Sequence, residues 1–119
     1  MNLIACYRTL GGDYADVSER LPSERLIRKL LLKFPEDPSF RDLAVSLSNG
    51  DRETGFRSAH NLKGVCLNLS FTTLLSSASA MTEALRPGTE TDESTLSSLF
   101  AVLRQDYERT LAAIAELDA

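Results

Sequence analysis

Apolar residues recur at intervals of three and four along almost the whole chain, and strict apolar/polar alternation does not persist through even one segment. A stripe with that period occupies one side of a helix and has to be buried against another helix. Short connections between successive stripes favour antiparallel neighbours. The pattern predicts an all-α fold: an antiparallel up-down four-helix bundle with additional short N-terminal helices. At 119 residues, one domain over 1–119 is expected, large enough to withdraw roughly two thirds of its extended-chain surface from water.

Helix boundaries follow from caps and breakers. Asn2 to Leu10 reads as a short helix closed by Gly11-Gly12, and Asp13 caps a second piece carrying Tyr14 and Val17 that Pro22 stops. Ser23 caps a third, whose Leu26, Ile27, Leu30, Leu31 and Phe34 form a broad stripe before Pro35 and Pro38 interrupt the chain. These N-terminal helices, within 2–34, are expected to cover one end of the bundle. The bundle helices are expected over 38–49, 52–69, 72–86 and 92–117. Asn49-Gly50 closes the first, Asp51 caps the second, and Arg86-Pro87-Gly88 ends the third. The fourth has the cleanest stripe, from Leu96 through Leu103 and Tyr107 to Ile114.

Composition removes several function classes. A formal charge of −4 argues against a nucleic-acid surface, which needs a clustered basic footprint. Cys6 and Cys66 are too few for a disulfide framework, and with one histidine the usual zinc spacings cannot be assembled. They are expected to be reduced core thiols. The apolar run Leu3 to Cys6 is shorter than a signal-peptide core, and no later stretch is long and apolar enough for a bilayer, so the expectation is a cytoplasmic protein with no membrane partner.

The single histidine, His60, lies within Phe56-Arg57-Ser58-Ala59-His60-Asn61-Leu62-Lys63-Gly64. On a helix advancing 100° per residue, Ala59, Leu62, Val65, Cys66 and Leu69 cluster opposite His60, which should therefore face outward. Lys63 and Gly64 fall beside the imidazole, with Arg57 completing the patch. A lone helical histidine is ordinarily a solvated surface residue. Gly64 needs a further reason, because a mid-helix glycine costs about 0.5–1 kcal/mol relative to alanine. A partner approaching closely at that point supplies one.

The run Ala59-His60-Asn61-Leu62-Lys63-Gly64, followed by Leu69-Ser70, resembles the histidine-containing phosphotransfer (HPt) family, whose signature is Ala-His-x-Leu-Lys-Gly with a leucine and a small residue five positions on. The likeness extends through Phe71, Leu74, Met81 and Leu85, and weakly upstream through Gly11-Gly12-Asp13; only the motif helix is highly specific. The resemblance implies that His60 is phosphorylated, that Lys63 stabilises the phosphoryl charge, and that Gly64 clears space for a docking receiver domain. It implies response-regulator receiver domains and a histidine kinase as partners. It also implies no cofactor of the chain's own, with magnesium held by the partner receiver, and a phosphoryl carrier without autonomous kinase activity. Consistently, the chain has no Gly-rich nucleotide loop and no acidic metal cluster of recognisable spacing.

The chemistry agrees independently. An ordinary imidazole, titrating near ~6.5, is mostly neutral at pH 7 and offers a ring-nitrogen lone pair to phosphorus without a separate base. Phosphoryl transfer runs through a loose, in-line transition state, so placement and charge neutralisation supply most of the catalysis. Lys63 would contribute about 1 kcal/mol if hydrated and up to about 4 if partly desolvated. Phe56 and Leu67 lie within 40° of His60 on the helical wheel and could form an apolar rim; Leu67 is the better candidate for partner contact, while Phe56 is expected to tuck against the N-terminal helices. Arg52, Arg57 and Lys63 against Glu53 give a locally basic face suited to an acidic docking surface.

Two positions depart from the family's pattern. Many members carry glycine where this chain has Ser70. Relatives attached to chemotaxis-type kinases orient the imidazole with a glutamate on the next helix, where this chain has Thr82, with Glu83 about 100° away. The alternative function is a helical regulator that binds a receiver or kinase through the same face without carrying phosphate. A cysteine enzyme pairing Cys66 with His60 is disfavoured, because positions six apart on a helix differ by 240°.

Overall fold

A computed structural model describes residues 1–117, all of whose regular elements are helical. They are α1 (Leu3–Leu10), α2 (Tyr14–Arg20), α3 (Glu24–Lys33), α4 (Ser39–Ser48), α5 (Arg52–Leu69), α6 (Thr72–Leu85) and α7 (Glu93–Ala115), with a 3-10 turn, Phe34–Glu36, between α3 and α4. The side chains of Asn2, Asp13, Ser23, Asp51 and Asp92 each accept a backbone N–H three residues on, which satisfies a donor the helix itself leaves open. Helix α4 departs from that rule. Pro38 cannot cap by side chain, and Asp37 instead accepts from the Ser39 N–H at 2.9 Å.

The chain forms a helical bundle. Helix α5 packs between α4 and α6, α6 packs on α7, and α1 lies along α7. Aromatic rings tie α4 to α7: Phe40 stacks on Tyr107 at 4.0 Å and on Phe100 at 5.5 Å. The run continues from Tyr107 to Phe34, from Phe34 to Phe71, and from Phe71 through Tyr7 to Tyr14, with centroids 5.2–5.9 Å apart. One stripe is narrower than its spacing predicts. Ile27, Leu31 and Phe34 are buried, but Leu26 is 40% exposed, because α3 meets the rest of the molecule along a single edge.

The N-terminal helices close the end of the bundle where α5 turns into α6. The Tyr7 hydroxyl donates to the Leu69 carbonyl at 2.8 Å, Asp13 N–H to the Ser70 carbonyl at 2.9 Å, and Arg20 to the carbonyls of Asn68 and Leu67 at 2.8 and 3.2 Å. Arg20 sits where the α5 carbonyls lack helical partners, so its charge also opposes the negative end of the helix dipole. Gly12 permits this close approach. A Cβ there would stand 2.8 Å from the Ser70 carbonyl oxygen and 2.7 Å from the Tyr7 ring.

Candidate functional site

Helix α5 divides cleanly into two faces. Gly55, Ser58, Ala59, Leu62, Cys66 and Leu69 are buried, whereas His60, Asn61, Gly64, Leu67 and Asn68 are exposed. The imidazole thus stands on the solvent side of a helix whose other side is locked into the core. A Cβ built on Gly64 would meet no atom within 4 Å. The glycine leaves open space one turn beyond the ring, and nothing within this chain's described residues calls for it.

Around His60 the neighbours are unlike one another. On one side the Phe56 ring stacks against the imidazole, centroids 6.1 Å apart at 22°. Phe56 does not reach the N-terminal helices as expected. The guanidinium of Arg86, just beyond the end of α6, lies 5.4 Å from its ring centroid instead. On the other side a shallow concavity is lined by His60, Asn61, Gly64, Val65 and Asn68 of α5 together with Asp37, Pro38 and Ser39. The two prolines of the segment before α4 signal a bend in the chain but not which face of α5 it reaches.

Charge is more balanced here than the spacing of basic residues implies. Arg52 pairs with Glu93 at 2.9 Å, Arg57 with Glu53 at 3.2 Å and Arg86 with Glu83 at 2.8 Å. Arg57 is turned toward Glu53 and Thr54 along its own helix rather than toward the ring. Lys63, half-buried, forms no contact ion pair among the described residues. Its field reaches Glu83, whose carboxyl is held below the ordinary range first by the hydrogen bonds from Arg86, then by the charges of Arg86 and Lys63. The expected basic face is thus largely self-neutralised, and Lys63 stands on it without a contact ion pair among the described residues.

Leu67, 60% exposed, projects from the same face of α5. Thr82 is fully buried and donates to the Ala78 carbonyl at 2.7 Å, so it does not orient the imidazole; Glu83 is engaged with Arg86. Cys66 is sealed in the core, and burial pushes its thiol up to about 12. It presents no thiolate at neutral pH and lies on the opposite side of α5 from His60. Among the described residues no group of three or more His, Cys, Asp or Glu side chains is placed to hold a metal, and no helix is long and apolar enough to cross a membrane.

A family model described as Hpt domain matches residues 25–113. Comparison with curated proteins and with solved structures gives no match. The matched span contains α4 to α6, α7 as far as residue 113 and all of the face that carries His60, and leaves out α1 and α2.

Proposed function

The chain belongs to the Hpt domain family, and from that membership we propose that it is a phosphorelay carrier, accepting a phosphoryl group on His60 and passing it to another protein. Hpt domains are phosphocarrier modules of two-component signalling that work with receiver domains and histidine kinases. The donor in this reading is a receiver aspartyl phosphate or a histidine kinase, and the acceptor is a second receiver.

A ring nitrogen of His60 attacks phosphorus in line; the N–P bond forms as the acyl P–O bond breaks and the aspartate leaves as carboxylate. The return step reverses this toward the aspartate of the next receiver. Lys63 offsets charge on the phosphoryl oxygens, and Gly64 gives the receiver backbone room to approach. Leu67 extends the contact surface, with Arg57 at its margin. The magnesium that neutralises the transition state belongs to the receiver.

The observation that carries this reading is an exposed imidazole one helical turn from a glycine with no atom within reach of its missing side chain. Labelled phosphate supplied on a receiver aspartate is expected to move onto the wild-type chain, then to a second receiver added as chase. Intact binding of the phosphorylated receiver with no label on the chain would instead identify a phosphate-independent regulator.

A further inference from the structure

The five phenylalanines and three tyrosines of this chain divide unequally. Seven belong to the run of ring contacts that joins the N-terminal helices to α4 and α7; Phe56 stands apart from it, half-buried at the surface. Its ring contact is with His60, four residues on along α5, and its other aromatic-face partner is Arg86. Arg86 is fixed in turn by two hydrogen bonds to Glu83, at 3.0 and 2.8 Å. Glu83, Arg86, Phe56 and His60 therefore form a continuous column from the end of α6 to the exposed imidazole.

We propose that Phe56, braced by Arg86, is a positioning residue that restricts the rotamers of His60 and holds its ring ready for the incoming phosphoryl group. The inference rests on His60 being the phosphate carrier. No hydrogen bond restrains the imidazole among the described residues, and Thr82 is committed to the Ala78 carbonyl in the interior. An exposed ring with free χ1 and χ2 would have to be ordered at every encounter, and a near-attack geometry is sensitive to small misplacements. Offset stacking supplies that order without a charge partner, since the edge of one ring is drawn to the face of the other. Arg86 holds Phe56 from a second helix through the attraction of its cation to the ring. Helix spacing alone brings Phe56 near His60; the brace from α6 distinguishes a fixed stack from a passing contact.

His60 is the chain's one histidine, so its ring resonances can be read without ambiguity in the full-length, unphosphorylated protein. Phe56→Ala and Phe56→Leu are expected to shift both ring-proton resonances downfield as the aromatic ring current is lost; Phe56→Tyr is expected to preserve them. In single-turnover transfer from a phosphorylated receiver, both aromatic-deleting variants should lower the saturating rate about fivefold, within the range for freeing one side chain's rotamers, and leave the half-saturating receiver concentration unchanged. Arg86→Gln should act in the same direction more weakly, and Phe56→Tyr should restore the rate. His60 resonances that ignore Phe56→Ala overturn the stack. A raised half-saturating concentration at an unchanged saturating rate overturns positioning and makes Phe56 a docking contact. A wild type that takes no phosphate while its resonances respond as predicted refutes the carrier function and any kinetic role of the stack with it.

Discussion

Glutamine at position 60 keeps a polar side chain of similar reach and removes the nucleophile. Because the ring lies outside the core, His60→Gln is expected to abolish phosphate uptake while leaving the thermal unfolding midpoint within about 2 °C, an expectation drawn from the small effects of surface substitutions. Lys63→Ala should slow transfer by about five- to tenfold, since roughly 1 kcal/mol of charge stabilisation is at stake in a hydrated site. An unchanged rate would place the charge neutralisation wholly with the partner. Gly64 separates stability from function: with open space at its Cβ, Gly64→Ala should raise unfolding stability by about 0.5–1 kcal/mol. Gly64→Leu should be equally well folded but impede receiver docking, and a Gly64→Leu protein that transfers at the wild-type rate would contradict the clearance role. His60, Lys63 and Gly64 were legible at this scale because one helical wheel sorts them. The environment of Phe56 was not, since its partner Arg86 stands at the end of another helix, which the periodicity of α5 does not encode.

Helix α5 ends in a way its sequence only half announces. Ser70 adopts φ 57°, ψ 40°, the left-handed conformation that ordinarily favours glycine at a helix C-terminus. Its hydroxyl donates to Asp16 at 2.6 Å and accepts from Arg20, so a side chain that strains the backbone also pins α2 to the end of the motif helix. The serine departs from the family's glycine without losing the turn. The same hydrogen bond from Ser70, followed by Arg20, holds the Asp16 carboxyl below the usual carboxylate range. A carboxyl whose folded pKa is depressed contributes stability above its unfolded value, near ~4, and that contribution disappears as pH falls through the folded pKa. Wild type is therefore expected to lose stability more steeply below pH ~4 than Asp16→Asn, measured by urea denaturation across that window. Parallel losses for the two proteins would show that the clamp contributes nothing. Caps such as Asp13, Ser23, Asp51 and Asp92 were readable because they act within one turn. The Asp16–Ser70–Arg20 cluster was not, because it joins residues some fifty positions apart.

Across the whole molecule, the division between a sealed interior and one reactive face organises the chemistry. Cys6 and Cys66 are both buried, and desolvation raises both thiols, Cys66 to about 12. Neither is expected to react with iodoacetamide at neutral pH until the bundle unfolds, so alkylation followed by mass should track denaturant; rapid modification of the native protein would mean the core opens far more readily than its packing implies. The helical class of the fold was legible because long stripes of period three to four survive any local error in a boundary. The seating of the N-terminal helices on α7 and on the α5–α6 turn depends on contacts of Tyr7, Gly12, Arg20 and Arg109 with residues far away in the chain, and periodicity within a helix does not encode those partners.

The most direct measurement is the site of labelling after the wild-type chain meets a phosphorylated receiver. An acid-labile, base-stable phosphate on the single peptide that contains His60, absent from His60→Gln, is the result this account predicts. Label on any other residue, or equal labelling of the His60→Gln protein, would contradict it.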